Sequence, residues 1–441
     1  MFNFAILILI DMGIYELYEL YRKHPVVTTD TRNCPVGSLF FALRGANFNG
    51  NDFAMKALDA GCAYAVVDDA SLPQDNRLLL VGDVLQTLQD LAAHHRRALG
   101  IPVLQITGTN GKTTTKELVA AVLSEKYNTL YTQGNLNNHI GVPLTLLRLR
   151  EDHQFAVIET GANHPGEIAE LSRIVGADYG LVTNVGRAHL EGFGSFEGVV
   201  RTKSELYDYL RSKKHALAFL HADNPHLTLK AIGLPVFTYG SANANPEIEG
   251  EIIECSPMLA FRWRRRGGRW QEVGTRLIGA YNLDNVLAAV AVGIKMGVSS
   301  EKISHAISHY IPNNNRSEFK RTERNQLIVD AYNANPTSMR ASLENFRQIE
   351  HPHKMLILGE MRELGTSSAE EHAQIVRLVS EMECETVWFV GKEFCGWADG
   401  FRCFDNVEEV VKELESTPLS GRLILIKGSN GTRLYQLPEF L

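Results

Sequence analysis

The run Gly108-Thr109-Asn110-Gly111-Lys112-Thr113-Thr114-Thr115 carries the strongest chemical signal in the chain. It lies between a short apolar β-type run, Val103–Thr107, and a helical pattern over Thr113–Lys126. Consecutive backbone N–H groups in such a turn, together with a helix N-terminus, form an anion seat that suits a polyphosphate. Lys112 is there to neutralise β/γ oxygens, and the Thr113 hydroxyl to ligate Mg²⁺. The strict G-x-x-x-x-G-K-[ST] pattern, aligned on Gly111 and Lys112, puts its first glycine at position 106. Here that position is Ile106 and the first glycine is Gly108, so the loop is a variant of the standard one.

Three further residues bear on the same chemistry. Glu159 closes the strand-type run Ala156–Glu159, and a carboxylate at the carboxyl end of a parallel strand lies where such sheets bind ligands. Taken alone it reads as a solvated loop residue; beside a phosphate loop it reads as a metal ligand. His189, in the glycine-bounded loop Gly186–Gly194, follows the next strand in the same way. Lys203, in Arg201-Thr202-Lys203-Ser204-Glu205, reads by spacing alone as a surface lysine.

The elements that must hold these residues alternate β and α. Strand-type runs at Leu39–Leu43, Ala63–Val67 and Leu78–Val81 alternate with helical patterns at Asp52–Ala60 and Val84–Leu99. A helix ending near Gly100, followed by Pro102, marks a boundary. Further runs at Gly180–Asn184 and Ala216–Leu220 extend a parallel, doubly wound sheet. The stretch Pro246–Gly279 alternates and contains Arg262-Trp263-Arg264-Arg265-Arg266-Gly267-Gly268-Arg269, which reads as an exposed antiparallel hairpin turning at Gly-Gly. Asn313-Asn314-Asn315 is a linker candidate. A third α/β block follows, with strands expected at Leu327–Asp330, Met355–Leu358, Val387–Val390 and Leu423–Ile426.

With 441 residues the chain is long enough for about three domains. Its 44% hydrophobic and 22% charged content is that of a soluble globular protein, which excludes disordered, collagenous and polytopic membrane classes. A net charge of −7 and a pI near 6.1 leave no overall field towards nucleic acid or an anionic membrane, so the hairpin arginines read as a solvated turn. Phe2–Ile10 is apolar but stops at Asp11, too short to span a bilayer. Two readings of it stand: an extension upstream of a start at Met12, or a short packed N-terminal element. From Met12 the pattern Ile14, Leu17, Tyr18, Tyr21 is that of an amphipathic helix. The six scattered cysteines contain no C-x-x-C pair and suit free thiols in a reducing cytoplasm.

Several of these segments together resemble the Mur ligase family of ATP-dependent amide-forming ligases. The resemblance rests on GTNGKTTTKE from Gly108, TQGNLNNHIGVPLT from Thr132, the His189 loop, TKSE from Thr202, DAYNANPTSM from Asp330 and GEMRELG from Gly359. It implies an α/β fold in three domains. Residues 1–98 would be a small α/β domain binding a UDP-sugar. Residues 99–312 would be a central parallel-sheet phosphate-loop ATPase domain, and 313–441 a Rossmann-like C-terminal domain receiving the amine substrate.

It also implies roles. Gly108, Thr109, Asn110, Gly111, Lys112, Thr113 and Thr114 would hold ATP. Thr113 and Glu159 match ligands of one Mg²⁺, and His189 a ligand of a second. Lys203 matches a lysine that is carbamylated in several family members, which turns a cation that repels metals into an anionic oxygen donor. Lys112, Lys203, His189 and Glu159 would thus form the catalytic set. Asn285 matches an adenine-contacting asparagine at the start of a helix, and Arg316 and Asp330 match nucleotide contacts. Without the resemblance, Arg316 and Asp330 read as a surface ion pair or cap. Thr31 and Arg32, with the NGNDF segment Asn49–Phe53, resemble the nucleotide-sugar site, while Asn137, Asn138, Asn333 and Asn335 match substrate contacts. Two segments depart from the family's usual form: NGNDF stands for Gly-His-Asp-Phe, and Ser429-Asn430-Gly431 departs from Gly-Ser-Arg after Lys427-Gly428.

Within the family, the segments from Thr132 and Asp330 point to the activity that adds D-alanyl-D-alanine to UDP-N-acetylmuramoyl-tripeptide through an acyl phosphate. A cytoplasmic monomer that neither binds nucleic acid nor inserts in a membrane is expected. The alternatives are a sibling that adds diaminopimelate or lysine, a folylpolyglutamate-type ligase, or a phosphate-loop NTPase without ligation, in which Glu159, His189 and Lys203 would share no task.

Overall fold

A computed structural model describes residues 13–312, 316–398 and 400–441. The apolar run before Met12, Met12 itself and the Asn313–Asn315 linker candidate lie outside the described residues. By internal contacts the chain divides into two units. One comprises residues up to 105 with 128–160 and 170–178; the other comprises 106–127, 161–169 and 179–441.

In the first unit the expected N-terminal helix forms over Ile14–Lys23 and buries Leu17 and Tyr21. Strands Val27–Thr28, Leu39–Phe41, Tyr64–Val67 and Leu78–Leu80 lie side by side in that order, all parallel. The segment expected as helix from Asp52 begins instead as a 3₁₀ turn, Gly50–Phe53, before the α-helix Ala54–Asp59. A Cβ on Gly50 would overlap the Ala42–Leu43 backbone, so the chain makes its tight entry where only glycine fits. The helix Val84–Leu99 is capped by the Asp83 carboxylate and stops at Gly100, which takes the left-handed conformation with φ 64°. Thr129–Tyr131 pairs in parallel with Phe155–Glu159.

In the second unit, Tyr179–Val182, Leu217–His221, Val236–Gly240 and Ile248–Cys255 pair in sequence order and in parallel. Met258–Arg265 and Gln271–Ile278 then continue antiparallel, turning at Gly267-Gly268 as the sequence suggested. The hairpin is not wholly exposed, however. Trp263 is fully buried, while Arg262 and Arg264 on the opposite face meet Glu251 and Glu249 of the neighbouring strand. Alternation of side chains across a strand explains both. Val236–Gly240 was not anticipated, because its burial is only partial over the first three residues.

The C-terminal part builds a six-stranded sheet in the order Glu318–Arg321, Gln326–Asp330, Leu423–Lys427, Lys354–Gly359, Thr386–Val390, Arg402–Phe404. Only the first pairing is antiparallel. Leu356, Leu358 and Leu425 face one core with Leu343, Phe346 and Phe389; Met355, Ile357, Ile424 and Ile426 face another with Val410 and Leu414. Both faces are covered, so these strands read as unbroken apolar runs, which made them legible. The edge strands Glu318–Arg321, with three charged residues of four, and Arg402–Phe404, with one of three, carry no such signal.

Candidate active site

The phosphate loop is shaped by its neighbours in the second unit. The strand expected over Gly180–Asn184 ends at Val182, which leaves Thr183 and Asn184 to hold the loop. Thr109 N–H donates to Asn184 O (3.0 Å) and Asn110 N–H to Asn184 Oδ1 (2.9 Å). Asn110 O accepts from Thr183 Oγ1 (2.6 Å) and Asn184 Nδ2 (3.0 Å). Lys112 Nζ donates to Gly108 O and Thr109 O, both at 2.9 Å, so the lysine also closes the turn it belongs to. Gly108 (φ 143°) and Gly111 (φ 75°) have no room for a Cβ, which would overlap Thr183 Oγ1 and Asn285 Oδ1 respectively. The helix Lys112–Ser124 starts at Gly111 with Thr113 buried, so the amides of the first turn point out of a helix N-terminus.

Asn285 lies inside the helix Asn282–Lys295 and is buried. Its Oδ1 accepts from Thr115 Oγ1 (3.0 Å) and its Nδ2 donates to Asn282 Oδ1 (2.8 Å), which packs this helix against the loop.

Lys203 corrects the reading by spacing. It is 2% exposed, with Nζ donating to Ala162 O (3.3 Å) and lying 5.2 Å above the Phe193 ring. On the helix Phe196–Arg211 it shares the buried stripe of Val199, Leu206 and Leu210, a 4-3-4 spacing that was visible in the sequence. Burial first, and the Lys112 charge second, push its amine well below the usual lysine range.

His189 adopts the left-handed conformation (φ 50°) before the short helix Leu190–Phe193, and its Nδ1 pairs with Glu363 Oε2. The same loop meets the C-terminal part at other points. Arg187 Nη1 contacts the buried Glu371 (2.8 Å), Arg187 N–H donates to Thr337 Oγ1 (3.0 Å), and Glu191 N–H to Glu363 O (3.4 Å). Asn335 caps the helix Pro336–Gln348 by accepting from Ser338 N–H (2.9 Å), and its Nδ2 donates to Asn110 Oδ1 (2.8 Å). Asn333 is exposed. The Arg316 guanidinium lies 3.9 Å over the Tyr332 ring, and Asp330 pairs with the buried Lys427. An Arg187–Val185–Thr337–Thr366 surface borders a cavity of about 810 Å³ lined also by Glu191, Glu197 and Ser367.

In the first unit Glu159 is 1% exposed rather than solvated. Asn137 Nδ2 donates to its Oε1 (2.8 Å), and its own N–H donates to Thr132 Oγ1 (2.9 Å). Asn138 Oδ1 accepts from the N–H groups of Ile140 (3.1 Å) and Gly141 (2.8 Å), a turn-forming job. Arg32 is exposed and forked onto Asp30, beside Thr31. Asn51, from the NGNDF segment, is buried against the Asp68 backbone and carboxylate and has a structural role.

Taken separately, the side chains are of kinds that suit a hard divalent cation: in the second unit a hydroxyl on Thr113 and the His189 ring, and in the first a buried carboxylate on Glu159 held by an amide. Sequence reasoning missed Thr183, Asn184, Arg187, Thr337, Glu363 and Glu371. Asn184, a small polar residue at a strand end, was within its reach; the others act through long-range pairing.

The chain is similar to known proteins along most of its length. Models of the Mur ligase family match residues 25–105 (catalytic domain), 106–293 (middle domain) and 315–430 (glutamate ligase domain). The UDP-N-acetylmuramoyl-tripeptide–D-alanyl-D-alanine ligase of Bacillus subtilis (strain 168) is 33% identical over 429 residues, 94% of this chain and 92% of its own. That of Escherichia coli (strain K12) is 36% identical over 83% of this chain and 81% of its own. A crystal structure of MurF from Acinetobacter baumannii superposes with a TM-score of 0.84 at 31% identity, covering 94% of this chain and 92% of that one. The MurF ligase of Thermotoga maritima in complex with ADP gives 0.84 at 25% identity over 94% and 96%. With similarity along nearly its whole length, the chain belongs to the Mur ligase family.

Proposed function

We propose that this protein joins D-alanyl-D-alanine to UDP-N-acetylmuramoyl-tripeptide at the expense of ATP, in the cytoplasm and as a monomer. The observation that carries the reading is full-length similarity to ligases of that name, together with a variant phosphate loop tied by Asn110 to the cap of a C-terminal helix. We assign the UDP-sugar to residues 1–98, ATP to 99–312 and the dipeptide to 313–441, with Thr31, Arg32, Asn137, Asn138, Asn333 and Asn335 on the substrate side.

A carboxylate is a poor electrophile, so the tripeptide carboxylate first takes the γ-phosphoryl of ATP to give an acyl phosphate and ADP. The dipeptide amine then attacks the acyl carbon, and phosphate leaves from the tetrahedral intermediate. In the first step Lys112 and the loop amides offset charge on the transferring group. Asn285, Arg316 and Asp330 serve the nucleotide. Thr113, Glu159 and His189 would hold Mg²⁺, and a carbamylated Lys203 would add an anionic oxygen. The ions supply charge neutralisation of the phosphates. The C-terminal part shields the acyl phosphate from water, whose attack would waste it.

The test is ATP-dependent phosphate release with UDP-N-acetylmuramoyl-tripeptide and, in turn, D-alanyl-D-alanine, diaminopimelate, lysine or no amine. A parallel set uses the shorter acceptor that sibling ligases extend. Release only with tripeptide and D-alanyl-D-alanine, matched by a pentapeptide product, is the expected result. Release with another amine moves the assignment to a sibling, and no stimulation by any withdraws it.

A further inference from the structure

We propose that Tyr332 is a positioning residue for Arg316: its ring carries the guanidinium on its face, so that the in-plane N–H groups of Arg316 stay available to anionic oxygens of the nucleotide. This rests on the reading of Arg316 as a nucleotide contact.

The Arg316 guanidinium lies over the Tyr332 ring, 3.9 Å from its centre. Its Nε is buried and has no hydrogen-bond partner among the described residues, so the stack holds that end of the group. The carboxylate nearest to the ring in sequence does not compete for the cation. Asp330, two residues before Tyr332, pairs with the buried Lys427.

The backbone pins both partners. Ser317, directly after Arg316, sits in the left-handed region at φ 52°, where residues other than glycine are strained, and its hydroxyl meets Tyr281 Oη at 2.6 Å. Tyr281 in turn precedes the helix Asn282–Lys295, whose Asn285 packs against Thr115 and Gly111. Tyr332 lies in the turn between the strand Gln326–Asp330 and the helix Pro336–Gln348. That turn is tied to the phosphate loop at its far end, where Asn335 Nδ2 donates to Asn110 Oδ1 (2.8 Å). Arginine and ring are thus both placed by reference to the loop that seats the polyphosphate.

A guanidinium is planar, with its donors in the plane and its faces weakly hydrated. A carboxylate partner would occupy donors and offset the charge, whereas an aromatic ring takes one face and leaves both free to act. An unsupported arginine also surrenders rotamer freedom when it meets a ligand, and one already stacked has less to lose. The ring therefore supplies a cation that is oriented beforehand and still unspent.

The test uses the full-length protein. ADP binding is read by isothermal titration calorimetry, and KM for ATP and kcat by steady-state phosphate release. Tyr332→Ala is expected to weaken ADP binding and to raise KM for ATP about 5-fold, with a much smaller change in kcat. Tyr332→Phe keeps the ring and should restore most of the affinity. Tyr332→Leu fills the space without a π face and should behave as the alanine variant does, which separates the stack from packing. In an Arg316→Ala background, Tyr332→Ala should add nothing, since the ring acts through the arginine. If Arg316→Ala weakens ADP binding while Tyr332→Ala and Tyr332→Leu leave it unchanged, or if the two losses simply add, the positioning role is wrong and the nucleotide reading of Arg316 stands. If Arg316→Ala itself leaves ADP affinity unchanged, that reading falls and the positioning role with it.

Discussion

Two sheet edges in the second unit each present a lysine, and they use it differently. At the phosphate loop, Lys112 reaches back to two carbonyls of its own turn, in surroundings of glycine, threonine and asparagine. At the carboxyl edge of the C-terminal sheet, Lys427 is fully buried and pairs with Asp330 on the next strand. The first lysine closes a loop turn by donating to carbonyls of that turn. The second meets a carboxylate on the adjacent strand. A lysine on the rim of a phosphate loop is placed to meet a polyphosphate; one buried in an ion pair between strands holds the sheet together.

The sharpest way to break this contrast is to remove each lysine's role in turn. Lys112→Ala is expected to lower ATP-dependent phosphate release by roughly 10³-fold, since it strips a positioned charge from the transferring group, while leaving thermal stability nearly unchanged. Steady-state kinetics and calorimetry check both halves. Asp330→Ala should instead be felt in folding, because it leaves the buried Lys427 charge without its partner. Such losses run to about 3–5 kcal/mol, and urea denaturation would read it. If Asp330→Ala cost less stability than Lys112→Ala, the distinction between the two edges would fail.

Asn335→Ala sharpens the comparison, since this residue joins the edges. It loses a helix cap worth about 1 kcal/mol and the bond to Asn110. The expected result is a modest stability loss with a rise in KM for ATP; a change in stability alone would reduce Asn335 to a cap.

The smallest effect concerns acid. His95 in the first unit and His372 in the second are buried, and burial holds both below the ordinary histidine value near 6.5. His372 Nε2 accepts Met361 N–H (3.0 Å) and its Nδ1 faces Ser368 O (2.8 Å), so the neutral ring is the one that fits. His95 Nε2 faces Leu149 O (3.0 Å). With a depressed folded-state pKa, the unfolded chain takes up the proton first, so stability is full above pH 6.5 and falls as pH drops below it. Replacing either residue by glutamine should flatten that decline between pH 7 and 5.5, and an unchanged slope would show that neither histidine carries it.

The phosphate loop was legible because its function is local: strand, glycine turn and helix N-terminus are contiguous, and only a few residue types satisfy them. The core strands Leu327–Asp330 and Leu423–Ile426 were legible because a parallel strand covered on both faces must be apolar throughout. Lys203 was misread as a surface residue, although its stripe with Val199, Leu206 and Leu210 was there, because a lysine on such a stripe is usually solvated. The edge strands and the buried Trp263 went unread for a related reason, since partial burial leaves weak periodicity.

What the sequence by itself determined is the chemistry available: a polyphosphate seat, a carboxylate at a strand end, a histidine in a glycine-bounded loop, and the family to which these belong. The tertiary structure alone decided how each group is tuned. Whether Lys203 is a solvated cation or a buried amine depends on what covers its helix. That His189 stands beside a carboxylate depends on Glu363, far along the chain. Protonation state and tautomer are set by burial and by the partner across space, and neither quantity is encoded in local spacing.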